Sequence, residues 1–371
     1  MKPHNSPRRV ALFFAIGLLI STIQLRAFAQ MPSIQWTELA TLDFTVNAMF
    51  TNGPTLYAGT EGGGVYRSNN SGQSWVASNA GLPAGTKVRA FEVIGMSLFI
   101  ATDRGIYRSN DQGQNWTEVN NGLTYNSGTS NPPRPMLALA AIGSILFAGA
   151  ERVDGVSGIT ASIFRSDNLG QSWTQVTNGL PAISSCSGFA NGIPGFFAAT
   201  NAGVYRSPDN GQNWSTANFQ AATSLAAVGQ FVYALRREGL WRSADQGLNW
   251  TQVFLAAEGK TGGAMVKVST SGSNLFTLDE FVYTATSTFP RISFSPDTGN
   301  NWYDTEVPNF EITPLVYTAF HVSGDRLFAW RADRKLFLRP GFFSPGIVTF
   351  SVSKIVTSFI SAVAGIKSET E

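Results

Sequence analysis

Past its first 29 residues, the 371-residue chain holds a single cysteine, a single histidine and no surplus of positive charge. Cys186 has no partner for an internal disulfide, so a domain of this size must be held by its core alone, with Cys186 as a buried small hydrophobe. His321 cannot build a histidine-based metal site. With no serine elbow evident it cannot serve a catalytic triad either, so its expected role is hydrogen bonding in the core or a loop. Charge is sparse at 13% of the residues, and the basic excess sits at the start. Setting aside Lys2, Arg8, Arg9 and Arg26, with no acid among the first 29 residues, leaves 22 of 26 basic residues against 24 acidic ones, a net charge of −2. That balance lacks the clustered Lys and Arg that nucleic acid or anionic lipid requires, and neither partner is expected. Nucleotide and metal motifs are missing as well. Glu61-Gly62-Gly63-Gly64 reads as a hairpin turn, with no helical pattern after it to make a phosphate loop. No cofactor and no metal are expected.

The apolar run Val10 to Ile20 is too short for a good membrane span. It follows Lys2, Arg8 and Arg9 and precedes Ala27-Phe28-Ala29, which is the build of a cleavable signal peptide over residues 1–29. No cysteine follows it to carry a lipid, and Arg8-Arg9 is a poor match to a twin-arginine signal. The expectation is general secretion, to the periplasm or beyond it, with no firm membrane anchor.

What the chain has in abundance is repetition. Six octapeptides of the form S-x-D-x-G-x-x-W recur: Ser68, Asn70, Gly72 and Trp75; Ser109, Asp111, Gly113 and Trp116; Ser166, Asn168, Gly170 and Trp173; Ser207, Asp209, Gly211 and Trp214; Ser243, Asp245, Gly247 and Trp250; Ser295, Asp297, Gly299 and Trp302. Upstream of each lies a short strand ending in an aromatic residue, usually followed by Arg, as in Val65-Tyr66-Arg67 and Ile106-Tyr107-Arg108. Further upstream come two more apolar strands, such as Leu56 to Thr60 or Ala90 to Ile94, and another strand follows each Trp. Four short strands per unit, rich in β-branched and aromatic residues and separated by Gly, Asn and Asp, predict propeller blades.

The third-strand motif occurs a seventh time at Leu336-Phe337-Leu338 with no Trp octapeptide after it, while Ile34 to Leu39, containing Trp36, looks like an outer strand with no blade before it. The orphan at one end matches the gap at the other. The expectation is an all-β, single seven-bladed propeller over residues 30–345, closed by the strand that carries Trp36, and monomeric. Closure removes sheet edges that would otherwise invite aggregation. The rival donor is Ile347 to Val352. In the tail, residues 346–371, the spacing of Val352, Ile355, Val356, Phe359, Ile360 and Val363 predicts a short amphipathic helix.

The octapeptide resembles the Asp-box, or BNR repeat, of sialidases, of β-propeller glycoside hydrolases and of the photosystem II assembly factor family. The resemblance covers nearly the whole chain past residue 29, and the seven-blade count is most like the assembly factors. It implies a structural turn between third and fourth strands, on the face opposite the active site. A short Asp or Asn side chain can bond nearby backbone N–H groups, Gly allows positive φ, and Trp fills the space between sheets. The repeated Arg67, Arg108, Arg165, Arg206 and Arg242 are read as fold chemistry too.

A site unique to one blade should depart from the repeat, and the departures gather in the loops between second and third strands. Among the acids there, Asp103, Glu151, Asp154, Asp279 and Glu280 are the catalytic candidates if the chain is an enzyme. Arg104, Arg152, Arg236, Arg237, Arg331 and Arg334 are the binding candidates, with Arg236 and Arg237 foremost. A sialidase would need the Phe/Tyr-Arg-Ile-Pro motif, and the nearest string, Phe289-Pro290-Arg291-Ile292-Ser293, is scrambled. A two-carboxylate hydrolase needs an acid and a base facing each other across a substrate, and nothing in the sequence picks such a pair. The expectation is an exported, non-catalytic propeller that binds a protein or glycan on its loop face. A xyloglucanase-like or sialidase-like hydrolase is the alternative.

Overall fold

The computed structural model describes residues 36–124, 132–151, 163–176, 178–183, 185–192, 195–255, 264–284, 287–305 and 317–340. The leader, Arg152, Asp154, the rival strand Ile347 to Val352 and the tail helix lie outside the described residues. The rest forms seven four-stranded antiparallel sheets, with no helix among the described residues. Each sheet is one blade of a propeller. Blade 1 runs Val46–Asn52, Thr55–Thr60, Val65–Ser68 and Val76–Ala77; blade 2 runs Val88–Ile94, Ser97–Thr102, Gly105–Ser109 and Thr117–Glu118. Blades 3 to 6 continue in chain order from inner strands Met136–Ile142, Cys186–Gly192, Ser224–Val228 and Ala264–Ser271.

Blade 7 has only three strands of its own, Tyr317–Ser323, Arg326–Arg331 and Lys335–Arg339. Its fourth is Thr37–Thr41, paired antiparallel to Lys335–Arg339 with Thr37 opposite Leu338 and Thr41 opposite Lys335. The first strand of the propeller thus completes the last blade, as the orphaned Trp36 implies.

Seven hydrophobic clusters lie one between each pair of neighbouring blades, and six of them contain a tryptophan of the octapeptides. Trp116 packs with Tyr57 and Phe91 between blades 1 and 2, and Trp173 with Phe99 and Met136 between blades 2 and 3. Trp214, Trp250 and Trp302 hold the next three interfaces, and Trp75 the one between blades 7 and 1. The interface between blades 6 and 7 belongs to a blade without an octapeptide, and there the residue packed against Phe276 and Phe320 is Trp36. Cys186 is fully buried in the cluster between blades 3 and 4, and burial pushes its thiol up to about 12.

Because successive strands reverse direction, the third-to-outer turns share one rim with the first-to-second turns, and the second-to-third turns share the other rim with the crossovers between blades. On the first rim the octapeptide turns are near-identical. In blade 2, Ser109 Oγ donates to Asp111 Oδ1 (2.7 Å) and accepts from Gly113 N (2.8 Å), while Asp111 Oδ1 accepts from Asn115 N (2.9 Å). The same three bonds recur around Ser68, Ser166, Ser207, Ser243 and Ser295. The turn needs two successive left-handed residues, Gln112 at φ 60° and Gly113 at φ 83°, and glycine makes the second one cheap.

Each turn is also tied to the blade before it. Arg108 donates to Leu169 O (3.1 Å), Arg165 to Asn210 O (3.3 Å), Arg206 to Gln246 O (3.2 Å) and Arg242 to Thr298 O (2.8 Å). In each case the acceptor belongs to the left-handed residue before the glycine. Between blades 1 and 2 the donor is the Tyr57 hydroxyl, to Gln112 O (3.0 Å), and between blades 7 and 1 it is Arg326, to Ser71 Oγ (2.6 Å).

Candidate functional site

The second rim is where the repeat breaks down. Its turns begin on a shared backbone bond: Glu61 N donates to Thr45 O (2.9 Å), Asp103 N to Lys87 O (3.1 Å), Glu151 N to Pro135 O (2.8 Å) and Asn201 N to Ser185 O (3.2 Å). Asp103 returns a second bond, its Oδ1 accepting from Lys87 N at 2.9 Å, and Asn201 Oδ1 does the same for Ser185 N at 3.1 Å. A carboxylate and an amide do the same work at equivalent positions, so this bond needs no charge.

Glu61 pairs with Lys87 and accepts from Asn47 Nδ2 at 2.8 Å. The Lys87 hydrogen bond, helped by Asn47, holds the Glu61 carboxyl below its usual range. Glu151 pairs with Arg89, and its carbonyl accepts from Arg134 Nη2 at 3.3 Å. Arg134 is 2% exposed and lies over the Phe164 ring, 5.4 Å from its centroid. Blades 1 to 3 thus carry a linked polar sector, Asn47–Glu61–Lys87–Asp103 and Arg89–Glu151–Arg134.

Asp279 and Glu280 are not loop residues. They lie within the second strand of blade 6, Asn274–Thr284, with Asp279 between Met265 and Arg291 and Glu280 between Ala264 and Pro290. That strand has 11 residues where its counterparts in the other blades have 6. The other described second-to-third turns reverse at a left-handed residue, such as Gly64, Gly105 or Arg334. Blade 6 has no glycine between Gly272 and Gly299, and the β-forming run Phe281-Val282-Tyr283 carries the hairpin on.

The arginine candidates divide. Arg331 is 5% exposed, donates from Nε to Asp333 Oδ1 (2.7 Å) and covers the Phe337 ring at 4.9 Å. The Arg331 hydrogen bond holds Asp333 below its usual range, so this pair belongs to the fold. Arg236 is half-buried between Glu238 (3.4 Å) and the Trp241 ring (5.8 Å). Arg104, Arg237 and Arg334 are exposed.

The repeat motifs carry no signal for the inner strands that ring the propeller axis. In six blades the inner strand carries a bulge near its start, at Asn47, Arg89, Leu137, Ser187, Val266 and Thr318. A bulge leaves its extra residue unpaired and re-aims it, which is how Arg89 reaches Glu151 in the next blade. Further along these strands stand Glu92, Lys267 and His321, enclosed by protein yet partly exposed. Burial holds the Glu92 carboxyl above its usual range. His321 Nε2 bonds Thr51 Oγ1 at 2.7 Å across the seam between blades 7 and 1, and burial, with Lys267 nearby, pushes the imidazole down to about 4. One sequence signal for these residues existed: charge inside a strand such as Val88-Arg89-Ala90-Phe91-Glu92, where the other blades are almost wholly uncharged.

No protein-family model and no curated protein matches the chain. Among solved structures it is similar to an ancestral GH74 enzyme (TM-score 0.59, 18% identity, 82% of this chain and 46% of that one). It is also similar to the GH74 xyloglucanase of Xanthomonas campestris (TM-score 0.60, 14% identity, 83% and 54%). YCF48 bound to D1 peptide matches over nearly its whole length (TM-score 0.57, 13% identity, 84% and 97%). The chain shares their propeller fold. It spans about half the length of the GH74 enzymes, and at these identities the likeness is one of fold alone.

Proposed function

We propose that the protein is an exported propeller of the BNR/Asp-box kind that binds a protein partner on its loop rim and catalyses no reaction. The observation that carries this reading is the state of three described loop-rim acids. Asp103 is spent on a backbone N–H, Glu61 on Lys87 and Asn47, and Glu151 on Arg89. A glycosidase acid needs its pKa raised, and Glu61 is held in the opposite direction. The shared octapeptide chemistry supports the BNR/Asp-box kinship, and the signal-like first 29 residues support export. YCF48, a propeller of nearly the same extent, is seen bound to a peptide, which supports a protein ligand over a glycan.

Among the described candidates, Arg104, Arg237 and Arg334 are the exposed cations left to meet a partner. The deciding experiment is reducing-end release by residues 30–371 on plant, microbial and sialylated glycans, run beside cross-linked capture from the cell envelope. No release, with one partner captured by the wild type and lost from the Arg104→Ala/Arg237→Ala double variant, is the expected result. Release above background would overturn the non-catalytic reading and direct mutagenesis to Glu92, Asp103 and Glu151.

A further inference from the structure

One register position on the inner strands is small in six blades: Ala48, Ala90, Ala138, Gly188, Ser224 and Ala319, opposite Gly59, Ala101, Gly149, Ala199, Leu235 and Trp330. In blade 6 the same position, opposite Leu278, is Lys267. Two residues on, the position held by Phe50, Glu92, Ala140, Ala190, Ala226 and Ser269 in the other blades is His321 in blade 7. Lys267 Nζ stands 5.9 Å from the centroid of Phe320, the residue next to His321, and His321 holds the Thr51 hydroxyl of blade 1 at 2.7 Å. Three consecutive inner strands, of blades 6, 7 and 1, therefore carry an ammonium, an imidazole and a hydroxyl side by side at the seams between them.

No acid among the described residues pairs with Lys267. Desolvation holds its pKa below the usual lysine range, and the nearby imidazole is held neutral at ordinary pH. An enclosed cation is costly unless a counter-charge comes with it. On the opposite side of the balance, Arg89 of the loop rim already has Glu151. A large charged side chain placed where the other blades hold Ala, Gly or Ser, and left without a counter-ion among the described residues, is what a ligand site looks like.

We infer that the inner strands of blades 6, 7 and 1 form a carboxylate-binding site, in which Lys267 supplies the charge that the carboxylate meets and His321 and Thr51 the polar groups beside it. The site stands independently of the loop-rim partner: it takes a carboxylate whether that comes from a small free acid or from an acidic side chain presented by a bound protein.

The test is labelling of the chain from residue 30 onward with trinitrobenzenesulfonate near pH 8, with modification at Lys267 read by mass spectrometry, in three arms: no addition, succinate, and an acetylated, amidated peptide rich in glutamate. Labelling at Lys267 is followed separately from labelling at the surface lysines. Succinate is expected to slow that labelling at least tenfold while leaving the other lysines unchanged, and calorimetric titration is expected to show binding that Lys267→Met abolishes and Lys267→Arg retains. Protection by the glutamate peptide but not by succinate, lost when glutamine replaces glutamate, assigns the carboxylate to a partner protein and supports the site. Lys267 labelling unchanged in both acidic arms overturns it, and this outcome is read on the wild-type chain whether or not Lys267→Met folds.

Discussion

At the octapeptide rim, six turns make the same three hydrogen bonds and their residues are interchangeable between blades; at the loop rim and the channel mouth, equivalent positions hold Asn47, Arg89, Leu137, Ser187, Val266 and Thr318. The two rims are the opposite ends of the same strands, so strand propensity cannot account for the difference. What separates them is the job of the side chain. On the octapeptide rim it satisfies a tight turn and a tryptophan seam, which every blade must do alike. On the other rim the turn is closed mostly by backbone and by one threonine hydroxyl, as with Thr60 to Gly64 O and Thr102 to Gly105 O (both 2.8 Å). The remaining side chains there are free to vary.

This contrast can be broken from the structural side with large effects. Trp116 is 4% exposed and donates from Nε1 to Ser78 O at 2.8 Å. Trp116→Ala is expected to cost about 3–5 kcal/mol in denaturant unfolding. Trp75→Ala, at a half-buried site, should cost less, and equal losses would contradict the packing difference. Ser109→Ala removes one donor and the acceptor of the Gly113 N–H in a turn with little access to water. About 1–3 kcal/mol is expected to be lost, and a neutral result would mean the turn is held by backbone alone.

Acid separates two parts of the molecule by pH window. Hydrogen bonds from Asn115 and from Asn213 hold Asp111 and Asp209 down at about 2, and those from Asn249 do the same for Asp245. A carboxyl whose folded pKa is depressed contributes stability above its ordinary pKa and loses it as pH falls toward the folded value. The octapeptide rim is therefore expected to weaken between about pH 4 and pH 2. The seam at His321 weakens earlier, because a base held neutral in the fold loses stability as pH falls from its ordinary value, about 6.5, toward about 4. Melting temperatures of Asp111→Asn and His321→Gln against pH distinguish the two: the first should flatten only the lower window, the second only the upper. The smallest effect is expected at the loop rim, where Arg104→Ala with Arg237→Ala should shift stability by no more than about 0.5 kcal/mol while weakening partner capture.

The blade count, the closure by Trp36 and the tryptophan seams were legible because each is written in residues that recur at fixed offsets. The channel was not. Alternation along Val88–Ile94 announces a strand but says nothing of the bulge that turns Arg89 toward Glu151, since a bulge is set by the ladder with the neighbouring strand. Asp279 and Glu280 were misplaced for a related reason: charge was read as loop, whereas the absence of a glycine keeps the hairpin paired through them. By itself the sequence determined how many blades there are and which tryptophan seals each one, because a buried aromatic and a tight turn demand particular residues locally. Only the tertiary structure decided which of the scattered charges face each other, because Lys267, His321 and Thr51 come from three different blades and meet only once the ring is closed.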